Sequence, residues 1–195
     1  MLWLVLAILF WGGVHSLLAT MKAKELALRW LGAQAMHFYR LLYNGFSILT
    51  FIPIMGIAAL TKSPKLYVVP IPWAGLMVLG EVLAVAGLVI ALAQTDVWEF
   101  IGLRQLGESN GPTQLKIGGL YRYVRHPLYL MGLVFIWLFP YMTGTILEFN
   151  ISLTLYILIG VFFEERKLRR EFGQEYVAYA AKTPMLIPFI KKSKT

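Results

Sequence analysis

Long apolar runs alternate with short polar stretches along the chain, and the runs set the expected elements. A helix that crosses a bilayer needs about 20 apolar residues, somewhat fewer where the membrane thins. Five runs qualify. Residues 2–18 form the first; it lacks the basic flank and small-residue cleavage site of a signal peptide and is expected to persist as a helix. The second covers 41–60 and begins near Gln34. The third covers 71–93 and is opened by Pro70 and Pro72, since proline is tolerated in a first helical turn. Residues 128–142 and 146–163 form a hairpin around Thr143-Gly144-Thr145, its first arm bent or ended near Pro140. Backbone donors in lipid must be paired, so all five runs are read as helices. The expected fold is all-α, a polytopic membrane helix bundle with five transmembrane helices in a single integral membrane domain, 1–195. Its parts are three N-terminal helices (1–93), a cytosolic connector (94–127), a helical hairpin (128–163) and a cytosolic C-terminal cap (164–195).

The polar stretches give the orientation. With the N-terminus outside, the inner side receives Lys22, Lys24, Arg29, Arg40, Arg104, Lys116, Arg122, Arg125 and the eight cations from Arg166 to Lys194. The outer side receives only Lys62 and Lys65, which is the N-out/C-in arrangement of the positive-inside rule. Composition agrees with the membrane class: 58% of residues are hydrophobic and 14% charged, against roughly 25% charged in soluble domains. The net charge of +8 then follows from topology and from attraction to anionic headgroups, and calls for no nucleic acid. No cysteine is present, which excludes disulfides, thiolate nucleophiles and Cys-ligated metals. His15 and His37 are too few for a metal site.

The chemistry concentrates where a hairpin returns to the side it left. "YRYVRHPLYLMG" precedes the fourth helix and Glu164-Glu165 follow the fifth, so Arg125, His126, Tyr129, Glu164 and Glu165 are expected to meet at the inner boundary. Singly, such residues also serve as interfacial anchors. Together they offer both charges to a zwitterion, and Pro127 in a first turn leaves a helix N-terminus beside them, suited to an anionic group. "FGQEYVAYAAKTPMLIP" reads as an amphipathic element with Phe172, Tyr176 and Tyr179 at helical spacing. Glu81, halfway along the third helix, and His15, near the inner end of the first, are costly enough in a membrane to be either packing groups or functional ones. Arg104, in the connector, is an anchor or a wall of the acceptor entrance.

"GLYRYVRHPLYLMG" followed by "EERKLRREFGQEYVAYAAKTPMLIP" resembles the C-terminal signature of the isoprenylcysteine carboxyl methyltransferase and phospholipid methyltransferase superfamily, over roughly residues 115–188. Within it, "DVWEFIGLRQL", "PYMTGTIL" and "YILIGVFFEERKL" are most similar to the bacterial methanethiol S-methyltransferase branch, and "HSLLAT" with "YRLLYN" to that branch and to NnrU-like proteins. The resemblance implies an S-adenosylmethionine-dependent membrane methyltransferase of a bacterial inner membrane. Its cofactor contacts would fall on Leu115, Gly119, Tyr121, Arg125, His126, Tyr129, Glu164 and Glu165; Lys116 stands where the family often has an apolar residue. Arg125, His126 and Glu165 are the catalytic candidates, with His126 either a cofactor anchor or a base. Tyr176 would lid the adenosine, since an aromatic ring can stack on adenine. The implied partners are the lipid bilayer and a small hydrophobic or lipid-like acceptor: a thiol, a prenylcysteine carboxylate or a phospholipid amine. Two other readings remain, an NADPH-dependent isoprenoid or steroid reductase, which would need an extra cationic pocket for the 2′-phosphate, and a non-catalytic NnrU-like membrane protein.

Overall fold

The computed structural model describes residues 2–95, 97–101, 103 and 114–188. The element order is α1 (Leu2–Ala19), α2 (Met21–Leu60), β1 (Lys65–Val68), α3 (Trp73–Ala93), α4 (Val97–Ile101), a 3-10 turn (Gly119–Arg122), α5 (Pro127–Trp137), β2 (Tyr141–Thr143) and α6 (Gly144–Lys182). Among the described residues α2, α3 and α6 are long and apolar enough to cross a membrane, and Trp3–Ala19 and Pro127–Trp137 are shorter apolar helices. The chain is an integral membrane protein dominated by helices. Arg104 lies outside the described residues.

Two compact units can be told apart. The first comprises Met1–Pro64, Asp96–Pro112 and Thr143–Tyr156. There α2 starts at Thr20, whose hydroxyl accepts the Ala23 N–H at 3.2 Å as an N-cap. Gly32, with φ +79 and ψ 172, breaks α2 into two helices in a region of backbone space that is essentially glycine's own. The apolar run expected to begin near Gln34 therefore starts just past that break, and the residues before it form a separate helix. His15 is held by Tyr43, whose hydroxyl is 2.7 Å from Nε2, and by Ser47 at 2.8 Å from Nδ1, with Trp11 stacked on it at 5.0 Å. That satisfied set is the packing alternative for His15.

The second unit comprises Lys65–Thr95, Thr113–Met142 and Ile157–Thr195. In it α3 packs antiparallel on α5 through small residues: a Cβ on Gly87 would sit 2.7 Å from Met131 Sδ, and one on Gly80 2.5 Å from Leu138 Cδ1. With Ala84, Gly87 and Ala91 buried at helical spacing, α3 lets the larger α5 side chains reach its backbone, the usual means of close helix approach in a membrane. The N-terminal end of α5 thus lies at the C-terminal end of α3. Glu81 is half-buried on α3 and has no hydrogen-bond or ion-pair partner among the described residues.

Three features differ from the sequence reading, two of them in and around the fourth helix. The arm expected over 128–142 is helical only as far as Trp137, and β1 and β2 pair as a two-stranded sheet. Prolines explain both. Pro140 cannot continue a helix and pushes its predecessor into extended backbone, while Pro64 and Pro70 bracket β1. The extended stretches satisfy their backbone groups across the ladder, helped by Val69 N–H donating to Pro140 O at 2.9 Å. The last helix also runs further than 146–163, through the acidic doublet to Lys182, with a kink at Gly173 (φ +53, ψ −127).

Candidate active site

The Arg125-His126 step precedes α5 and the Glu164-Glu165 doublet lies on α6, within the second unit. They meet. Arg125 donates to Glu165 through two parallel bonds, Nε to Oε1 at 2.8 Å and Nη2 to Oε2 at 2.9 Å, the bidentate geometry that suits a planar guanidinium. His126 Nε2 lies 2.9 Å from Glu165 Oε1, and the Tyr176 hydroxyl donates to the same oxygen at 2.5 Å. An ionised carboxylate only accepts, so Nε2 carries the proton in the His126 pair. Four donors therefore converge on one carboxylate. Both ends of the ion pair are buried, with Arg125 7% and Glu165 8% exposed, and burial at this level requires that each charge be fully compensated.

Arg125 also fastens the C-terminal segment. Nη1 donates to Ala180 O at 3.0 Å and to Thr183 O at 2.5 Å, while the backbone N–H groups of Arg125 and His126 donate to Pro184 O and Met185 O. Only one of the five guanidinium N–H groups is left over. Tyr176, 1% exposed, sits edge-on to Tyr179 at 5.9 Å, and Tyr179 donates its hydroxyl to Tyr121 O at 2.5 Å. The helical spacing read from the sequence thus marks a face that does become buried.

Glu164 is the free member of the doublet. Its Oε2 is buried without a hydrogen-bond partner, 3.7 Å from His126 Nδ1, while the side chain as a whole is 39% exposed. Tyr121 is near enough to feel it: burial, and then the Glu164 charge, push the phenol up to about 12. Tyr129 stacks on His126 at 5.7 Å. Gly119 opens the 3-10 turn with φ +58, where an added Cβ would collide with the Gln94 side chain, and Gln94 Oε1 accepts the Leu120 N–H at 2.8 Å. Leu115 lies half-buried in the irregular stretch before this turn, outside the polar network.

The structure therefore brings Arg125, His126, Tyr129, Glu164, Glu165 and Tyr176 into one cluster, with Tyr121 joined through Tyr179. Gln94 was missed by the sequence reading, although it is the first polar side chain after the apolar run of α3. The carbonyls of Ala180 and Thr183 were missed as well, and no side-chain pattern marks a backbone acceptor.

An open groove of about 1640 Å³ runs beside the cluster. Of the cluster residues, only Arg125 and Glu165 border it.

A phospholipid methyltransferase family model matches residues 75–175, just over half of the chain and inclusive of both ends of the Arg125–Glu165 pair. A methanethiol S-methyltransferase of Crocosphaera subtropica is 38% identical over 114 residues, covering 54% of this chain and 45% of the relative. Methanethiol S-methyltransferase 1 of Bradyrhizobium diazoefficiens is 38% identical over 112 residues, 53% and 39% of the two chains. One from Mycobacterium tuberculosis is 40% identical over 97 residues, 47% and 40%. The chain thus spans less than half the length of these curated relatives. No solved structure matches it significantly. Since the family match contains the bend, the acidic doublet and most of α6, the chain belongs to the phospholipid methyltransferase family.

Proposed function

We propose that the chain is an S-adenosylmethionine-dependent membrane methyltransferase whose acceptor is a small thiol or another molecule that partitions into the bilayer. The observation that carries this reading is the buried Oε2 of Glu164, without a hydrogen-bond partner and 3.7 Å from His126 Nδ1, beside the braced Arg125–His126–Glu165–Tyr176 network. An orphaned carboxylate oxygen is costly in isolation and fits an ammonium, one of the charges on the methionine part of the cofactor. The N-terminus of α5, where His126 is the cap residue and makes no side-chain capping bond, fits the carboxylate of the same molecule. Such a cofactor, when bound, supplies an electrophilic methyl group on a cationic sulfur.

The residues then divide their work. Glu164 and Tyr121 hold, whereas Arg125, Glu165 and Tyr176 fix the position of Glu164 and of the cap. His126 donates Nε2–H to Glu165, which fixes its ring as an anchor and leaves Nδ1 as the ring nitrogen able to accept a proton. Transfer needs little proton chemistry beyond ionising a thiol, so the chain contributes mainly alignment of acceptor and methyl carbon and exclusion of water. Gly119 shapes the turn that carries Tyr121, and Leu115 precedes that turn in the chain.

The same reading includes five crossings with the N-terminus outside. At 1.5 Å per residue α5 rises only about 16 Å, about half of a hydrocarbon core of about 30 Å, so it is the shortest helix of the five crossings.

Membranes containing the protein and methyl-labelled cofactor, given methanethiol, a prenylcysteine analogue or phosphatidylethanolamine, should label the thiol. Absence of label in all three products contradicts the transferase reading. A reductase using NADPH is the second reading, favoured by the cations Arg122, Arg166, Arg169 and Lys182 along the groove, which could take a 2′-phosphate.

A further inference from the structure

We propose that the basic groove beside the Arg125–Glu165 brace binds an anionic phospholipid, at a site that shares Arg125 and Glu165 with the cluster but does not rest on the transferase reading. The groove changes character along α6. Leu158 and Phe162 line it first, and Arg166 and Arg169 line it next, at spacings of four, four and three residues that keep all of them on one helix face. From Leu158 to Arg169 the helix rises about 16 Å. That order, apolar within the membrane-crossing run and cationic just beyond it, is the order of acyl chain and phosphate in a lipid lying along the helix.

Charge decides which lipid. Arg122, Arg166, Arg169 and Lys182 line the groove and make no ion pair among the described residues. Glu165 is the one carboxylate among the described lining residues, and its two oxygens are already taken by Arg125, His126 and Tyr176. The cations are therefore in excess, and a zwitterionic headgroup would bring an ammonium into a wall that has no free acid to receive it. An anionic headgroup would not. Arg166 lies with its guanidinium carbon 4.4 Å from the Phe162 ring centroid, which holds the fork at the point where the apolar wall ends. Basic pockets at the membrane boundary recognise anionic headgroups by this combination of fixed cations and adjoining apolar surface. A nucleotide phosphate would use the cations but would leave Leu158 and Phe162 uncovered.

The test is binding of dioctanoyl phosphatidylglycerol to the purified full chain in a neutral detergent, followed by native mass spectrometry and by calorimetric titration. Dioctanoyl phosphatidylcholine, inorganic phosphate and 2′,5′-ADP are the comparison ligands. We expect phosphatidylglycerol to bind at least 10-fold more tightly than phosphatidylcholine, and neither inorganic phosphate nor 2′,5′-ADP to displace it. The double variant R166A/R169A should lose at least 10-fold. The charge-matched K167A/R170A, on α6 but outside the groove, should lose less than 2-fold. Where R166A/R169A fails to fold, R169Q alone should weaken phosphatidylglycerol binding at least 3-fold while leaving the melting temperature unchanged. Equal binding of the two lipids, equal losses in the two double variants, or displacement by 2′,5′-ADP would overturn the proposal. Since the readout is lipid binding, it stands or falls separately from cofactor binding and methyl transfer.

Discussion

Glu164 and Glu165 are neighbours with different surroundings, and the difference comes from where helical geometry points them. Glu165 faces inward and accepts from Arg125, His126 and Tyr176, so it is a brace. Removing it strands a guanidinium that is 7% exposed. Breaking a buried pair in this way costs about 3–5 kcal/mol, so Glu165→Ala should unfold early in a denaturant titration in micelles, whereas Glu164→Gln should unfold as the parent does. Tyr121 gives the pH dependence. Its folded value of about 12 lies above the ordinary 10.0, so the folded state keeps its proton where the unfolded state loses it. Its contribution to stability is intact below pH 10 and falls away as pH rises between 10 and about 12. Absorbance of tyrosinate should show this: Tyr121→Phe removes one tyrosine's share of the absorbance that titrates near the upper end, and loss instead of a component near pH 10 would contradict the burial argument.

At the scale of elements, the two breaks at Gly32 and Gly173 matter more than the helix lengths. Gly173 turns the end of α6 so that Tyr176 comes back onto Glu165, eleven residues earlier in the chain. Its φ of +53 with ψ −127 is a conformation that side chains rarely adopt. Gly173→Ala should therefore cost about 1–3 kcal/mol and should loosen the cap more than the hairpin. Limited proteolysis should reveal new cleavage between residues 173 and 188 with the rest of the protein intact. Proteolysis unchanged from the parent would mean that the cap does not depend on this kink. The two strands follow the same logic in reverse: Pro64, Pro70 and Pro140 deny helix to stretches whose side chains are apolar enough to have joined one.

For the whole molecule, apolar run length and the lopsided distribution of Lys and Arg made the membrane class legible, and the return of a hairpin made the meeting of Arg125 with Glu165 legible. Other features were hidden for physical reasons. Ala180 and Thr183 hold Arg125 through their carbonyls, which every residue possesses. The glycine breaks look, in sequence, like any tolerated helix glycine. Orientation is tested by reporter fusion: a fluorescent protein after Thr195 should fold and fluoresce on the cytosolic side, and a periplasmic phosphatase fused there should be inactive. Active phosphatase would reverse the orientation. The central claim, that the bend and the acidic doublet form a cradle for a zwitterionic methyl donor, is tested most directly by calorimetric titration of the purified protein with S-adenosylhomocysteine and with NADPH. We expect S-adenosylhomocysteine to bind, NADPH to give no heat, and Glu164→Gln to weaken S-adenosylhomocysteine at least 10-fold with its fold intact. Binding of NADPH without S-adenosylhomocysteine, or full affinity in the Glu164→Gln variant, would contradict it.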